Sequence, residues 1–198
     1  MDDRSRPELL SAILEIIDPR LRPAFEQACR VDAHAMPAAS QASLPIALVG
    51  HRAAGKSRLL PWLARWTGLP AVDLDHRIET QTGRAIREWL PLDEPGFRAA
   101  ERATFAALEG PRVVAVGGGF LSLHGDLLAG HLAVLVPITL PTYRERLLSD
   151  VMRPRLRPEL SLAAEIDAVF ESREALQAQV PTVPLATFLR TTRGPWSA

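Results

Sequence analysis

Gly50-His51-Arg52-Ala53-Ala54-Gly55-Lys56-Ser57 lies between an apolar run, residues 44–49, and a helical stretch from residue 56 to 66. The spacing G-x-x-x-x-G-K-S between a strand and a helix is that of a phosphate-binding loop. Its glycines let the backbone wrap around phosphates, and the helix N-terminus offers free N–H groups and a positive dipole end. In such a loop Lys56 reaches the β- and γ-phosphates, and the Ser57 hydroxyl can ligate Mg²⁺. The expected nucleotide contacts are therefore Gly50, Ala53, Ala54, Gly55, Lys56 and Ser57. Pro61 falls past the first turn of the helix, where a missing N–H costs about 3 kcal/mol or bends the axis.

The composition around this loop is uneven in one respect. The 198 residues carry 23 basic and 23 acidic side chains, yet 22 of the basic residues are arginine and the single lysine is Lys56. Arginine does not replace lysine where a compact ammonium is needed, so the one lysine stands where the chemistry of the loop asks for it. Balanced charge argues against an extended nucleic-acid footprint. A lone cysteine, Cys29, excludes a disulfide framework and a cysteine zinc site. With no apolar run long enough for a membrane span and no signal-peptide core, the expectation is a soluble, cytoplasmic protein.

Outward from the loop, the chain alternates strand and helix. Strands are expected in residues 44–49, 69–75, 111–116 and 131–138, with 182–188 as a candidate last strand. Helices are expected at 56–66, 75–90, 97–108, 140–150 and 162–179. This order implies crossover connections and a parallel sheet covered on both faces. The fold class is thus α/β, a P-loop three-layer α/β/α sandwich of the nucleoside-monophosphate-kinase-like kind. Residues 1–43 read differently. Leu9, Leu10, Ile13, Leu14 and Ile17 keep helical spacing up to Pro19, and a second short helix covers 21–30. A small, polar linker follows. This segment reads as a helical hairpin packed on the main domain, 44–198, or on a partner subunit, which allows a monomer or a weak homo-oligomer.

Five further features follow in order: Asp73-Leu74-Asp75 after the second strand, Phe97-Arg98-Ala99-Ala100-Glu101, Gly117-Gly118-Gly119, Met152-Arg153-Pro154 and Arg173. Together with the loop they resemble the shikimate kinase family over about residues 44–190. The resemblance implies an ATP- and Mg²⁺-dependent transfer of the γ-phosphoryl group to a hydroxyl of shikimate or a related carboxylated polyol. By that resemblance Asp73 and Ser57 hold Mg²⁺, and Asp75 orients the acceptor hydroxyl and takes its proton. Arg98 and Arg173 clamp the substrate carboxylate, Gly117, Gly118 and Gly119 approach the acceptor, Arg153 stabilises the moving phosphoryl group from a lid, and Arg146 stacks on adenine. Glu101, three residues on from Arg98, is spaced to hold it.

Each of these residues also has a plainer reading. Arg98–Glu101 is a common solvated helix pair, Asp73 and Asp75 can cap the following helix, and Arg173 sits in an ordinary charged helix. No histidine has metal-ligand spacing, and His51 is a candidate for touching nucleotide or acceptor. The sequence departs from the family's usual pattern at Arg52, Ala53, Leu90, Asp93, Arg155 and Gln177. Arg52 and Arg155, with the loss of an aromatic at Leu90, predict a more cationic acceptor pocket. The alternative reading is a catalytically silent, ligand-sensing module; a kinase of another small acceptor, such as gluconate, is disfavoured by FRxxE together with the triglycine.

Overall fold

The computed structural model describes residues 6–30, 44–150 and 155–192. Five strands form one parallel sheet: β1 (Ile46–Val49), β2 (Ala71–Asp73), β3 (Val113–Ala115), β4 (Leu132–Leu135) and β5 (Val183–Pro184), in the order β2-β3-β1-β4-β5. Alternate residues of the strands go to opposite faces. Ile46, Leu48, Val113 and Ala115 join one buried cluster, whereas Ala47, Val49 and Val114 join another. Both clusters are closed by helices, which gives three layers. The chain leaves β1 for β2, returns to β3 on one side of β1, and then crosses to β4 on the other. Ligands in such sheets bind beyond the strand ends at this reversal, and the Gly50–Ser57 loop begins there.

Helix α1 (Arg6–Ile16) packs on α3 (Lys56–Thr67), and α2 (Arg22–Arg30) packs on α10 (Leu185–Thr191). Leu9, Ile13 and Ile17 are fully buried in the same cluster as β1 and α3, so the N-terminal helices cover one face of the sheet's own helical layer. The opposite face is covered by α4 (Leu74–Thr82), α5 (Ile86–Trp89), α6 (Glu94–Ala106) and α7 (Phe120–His124). Helices α8 (Leu140–Leu148) and α9 (Leu162–Gln177) complete the molecule beside the loop. Residues 32–43, read as linker, lie outside the described residues.

Three local expectations need correction. The second strand ends at Asp73, and Leu74 already starts α4, which puts Asp75 in a first helical turn. The expected helix 75–90 is two helices, because Gly83 closes α4 and residues 84–85 carry the chain to α5. Residues 182–188 form a two-residue strand followed by α10. The reason is periodicity: Leu185, Ala186, Phe188 and Leu189 are buried with spacings of one, three and four, the stripe of a helix. Pro61 stays within α3 as an exposed residue, where it leaves the Ser57 carbonyl without its helical N–H partner.

Ala53, where the family's pattern has glycine, is held at φ 60° and is the only non-glycine residue with positive φ among those described. A left-handed conformation costs an L-residue roughly 1–2 kcal/mol, and glycine returns part of that by its freedom in the unfolded chain. Ala53→Gly is expected to stabilise the protein by about 1 kcal/mol, seen as a rise of about 2–4 °C in thermal melting. An unchanged or lowered melting temperature would show that the loop is not strained at this position.

Candidate active site

Lys56 opens α3 directly after Gly55, and no side chain caps this helix. By contrast α4, α6, α8 and α9 are each closed by Asp73, Asp93, Thr139 and Ser161. The first-turn N–H groups of α3 thus face the cleft without a protein acceptor on the capping side chain, which suits an anion. The buried Lys56 ammonium donates to the Gly50 and His51 carbonyls at 2.9 and 2.7 Å, folded back into its own loop. Ala54 is fully buried, and its N–H donates to His51 at 3.4 Å, so its side chain belongs to the core rather than to the cleft.

The loop faces the triglycine turn across a short gap. A Cβ placed on Gly118 would fall 2.4 Å from the Arg52 backbone nitrogen, a separation no side chain tolerates. Around this contact lie a cleft of about 480 Å³ and a smaller cavity of about 170 Å³. Both are lined by Arg52, Asp75, Gly117 and Gly118. The larger carries Lys56, Ser57 and Arg146; the smaller carries Arg98, Glu101, Gly119 and Arg173. Most residues named from the sequence thus fall on two adjoining spaces with Asp75 at their junction, but Gly50, Ala54 and Asp73 line neither.

Asp75 opens onto the cleft but is enclosed by its walls. That desolvation, with the like charges of Glu101 and Asp73, pushes its carboxyl up to about 6, while Lys56 pulls the other way. Arg98 is held from both sides: its Nη1 donates to the fully buried Glu101 at 2.9 Å, and its Nη2 donates to Glu94 at 3.0 Å. Burial raises the Glu101 carboxyl, and Arg98 partly offsets this. His124 Nε2 lies 3.2 Å from the same Glu101 carboxylate. Arg173 is buried deeply enough that its guanidinium is pulled down to about 10, with Arg52 and Arg98 adding to the effect. It stays charged at neutral pH, yet its buried Nη1 has no hydrogen-bond partner among the described residues. A charged donor left unpaired in a cavity wall is costly, and an anion beside Gly119 would satisfy it. The Nη2 atoms of Arg173 and Arg98 lie 3.1 and 3.5 Å from where a Gly119 Cβ would stand, so the two guanidiniums converge on one point.

Other predicted residues behave differently. Asp73 caps α4, accepting from the His76 N–H at 3.2 Å. Arg146 donates to the Ala53 carbonyl at 2.7 Å and to the Ile16 carbonyl at 3.4 Å, so its head is bound to two backbone oxygens at the edge of the cleft. Arg153 lies outside the described residues. His51 does not reach the cleft: it is buried, stacked on Phe170 at 4.2 Å and bonded to Glu174 at 2.8 Å. Of the two arginines expected to enrich the acceptor pocket, only Arg52 lines it. Arg155 turns away to pair with Glu165, an acid buried at the start of α9, and leaves Leu156 to line the cavity. Leu90 lines the cavity as well, and Asp93 serves as the cap of α6, accepting from Gly96 at 2.9 Å. His124 and Leu156 escaped the sequence reading, because neither has a local signal; only the fold brings them beside Glu101 and the acceptor cavity.

Comparison with known proteins gives a consistent result. A family model described as shikimate kinase matches residues 52–192. A shikimate kinase from Caulobacter vibrioides is 42% identical over 95 residues, 46% of this chain and 48% of that protein, so this match spans about half of the relative. The shikimate kinase from Mycobacterium leprae is 32% identical over 145 residues, 71% of this chain and 72% of the relative. Among solved structures, shikimate kinase from Acinetobacter baumannii in complex with shikimate superposes with a TM-score of 0.66 at 27% identity, covering 78% of this chain and 93% of that one. No described helix is long and apolar enough to cross a membrane. The loop, the junction at Asp75 and the converging arginines thus sit within a chain that belongs to the shikimate kinase family.

Proposed function

We propose that the protein transfers the γ-phosphoryl group of ATP to a hydroxyl of shikimate or a closely related carboxylated polyol. The observation that carries this reading is the junction at Asp75, where a phosphate-binding cleft and an arginine-lined cavity share one wall. ATP occupies the larger space with its phosphates on the α3 N-terminus and Lys56. The acceptor occupies the smaller, its carboxylate between Arg98 and Arg173, a task suited to planar guanidiniums. Its hydroxyl then points at Asp75. The acceptor oxygen bonds to the γ-phosphorus as the bond to the β-phosphate oxygen breaks, ADP leaves, and the hydroxyl proton passes to the Asp75 carboxylate.

Phosphoryl transfer asks the protein for alignment and positive charge rather than covalent help. Lys56 supplies charge; Asp75 and the two arginines supply alignment. The Ser57 hydroxyl and the Asp73 carboxylate are hard oxygen donors, and one or two such groups plus phosphate oxygens suit Mg²⁺. They would hold the ion, which supplies further charge neutralisation when bound. Arg153, seven residues after Arg146, is assigned to the transferring group. A silent sensor has less support, because the relatives described above are kinases and the buried Nη1 of Arg173, without a hydrogen-bond partner among the described residues, is an unfavourable feature for a site with no anionic ligand.

Release of ADP from Mg-ATP and shikimate tests the proposal directly. Lys56→Ala is expected to lower turnover by roughly 10²–10³-fold with the fold intact; undiminished turnover would overturn the loop assignment. Asp75→Asn should cost roughly 10²–10⁴-fold in kcat, and Arg98→Ala should raise the KM for shikimate about 10- to 100-fold.

The pH profile is a separate check. A carboxyl raised to about 6 is ionised above that value and protonated below it. Since only the carboxylate accepts a proton, kcat/KM should fall with decreasing pH through a midpoint near 6. A flat profile from pH 7 down to 5 would remove Asp75 from the role of base.

A further inference from the structure

The family match begins at residue 52, so α1 and α2 lie outside it, yet the chain where they join touches elements that line the nucleotide cleft. The contact is made by the turn between them. Asp18 is fully buried, and its carboxylate accepts four hydrogen bonds. Thr139 donates to it from its N–H at 2.6 Å and from its hydroxyl at 2.7 Å, Thr142 from its hydroxyl at 2.7 Å, and Arg20 from its N–H at 2.9 Å. Thr139 is the cap of α8 and Thr142 lies in its first turn, so an acid from the N-terminal turn is fixed at the positive end of α8. Burial pushes that carboxyl up, but the hydrogen bonds outweigh it and hold it below the usual carboxylate range. Near the other end of α8, Glu145 pairs with Arg20 of the same turn.

Helix α8 forms one wall of the nucleotide cleft through Arg146 and the residues just after it, Ser149 and Asp150. Arg146 closes the circuit. One guanidinium nitrogen bonds the Ala53 carbonyl of the phosphate-binding loop, and the other bonds the Ile16 carbonyl at the end of α1. Ile16 also presses on the loop itself, since a Cβ on Gly55 would lie 2.8 Å from its Cγ2. The N-terminal turn therefore meets α8 at both ends and the loop at Gly55.

We propose that Asp18 is a positioning residue of the nucleotide site: through α8 it sets Arg146, and with it the loop wall at Ala53, for binding of an adenine nucleotide. The inference rests on the assignment of the larger cleft to nucleotide. The acceptor cavity is lined by none of α8, Arg146 or the N-terminal turn. Loss of Asp18 should thus separate the two ligands.

Calorimetric titration of the full chain with Mg-ADP, and separately with shikimate, tests this, together with thermal melting of each variant. Asp18→Ala is expected to weaken Mg-ADP about tenfold and shikimate by less than about twofold. In a cycle with Arg146→Ala, the double variant should bind Mg-ADP about as the Arg146→Ala variant alone. Equal losses for both ligands, or additive losses in the cycle, would show that Asp18 only supports the fold and would overturn the proposal. Should Asp18→Ala not fold, Thr142→Val removes one of the four bonds and is expected to give the same selectivity at smaller size. Wild-type protein that binds no Mg-ADP would refute the nucleotide assignment itself, whereas wild-type binding with an unaffected Asp18→Ala variant refutes only the role of Asp18.

Discussion

The arrangement depends on one close approach of backbone to backbone. The phosphate-binding loop at Arg52 and the triglycine turn at Gly118 meet with no room for a side chain between them. One turn follows β1 and the other follows β3, neighbours in the sheet whose strand ends are in register at Leu48 and Ala115. Because two adjacent parallel strands end together, their loops must diverge or pack, and glycine at the contact lets them pack. Two consequences follow from that packing. The spaces on either side share a wall, and Asp75, in the first turn of α4 after β2, reaches the place where they join.

This geometry explains why the site was legible only in part from the sequence. Residues bound to a strand end are read easily, since the loop before Lys56, the acids after β2 and the triglycine after β3 each follow an apolar run. Arg98 and Glu101 were legible because helical spacing alone brings them together, and they meet at 2.9 Å. Arg155 was misread because adjacency in sequence to the lid motif says nothing of which side of the chain a side chain takes. A buried Glu165 ten residues away claims it. The same holds for His51, whose place inside the loop suggested contact with ligand, while Phe170 and Glu174 of α9 draw its ring into the core.

The fold shows a similar division. Long periodic segments gave α3, α6, α8 and α9 within a few residues of their observed ends. Short elements did not, because two or three strand residues leave too little alternation to read. Residues 182–188 illustrate the point: β5 is two residues long, and the helical stripe that starts at Leu185 dominates the segment. The N-terminal helices were visible as helices, but their attachment was not. It runs through Asp18 to Thr139 and Thr142, more than 120 residues away, and no local pattern records such a contact.

Glu101 shows how tightly the site's parts are tied. It is buried without exposure, and its charge is tolerated because Arg98 donates to it. That bond directs Arg98 toward the point where Arg173 also converges. The same negative charge acts on Asp75, adding to the desolvation that raises its carboxyl to about 6. A single buried acid thereby sets the direction of a substrate-binding cation and the basicity of a proton acceptor. The two effects pull together: an anionic acceptor enters toward the arginines, and the base beside it is ionised at neutral pH yet more basic than a free aspartate. Neither property belongs to Arg98 or Asp75 alone, and both depend on Glu101 staying dry beneath the triglycine turn.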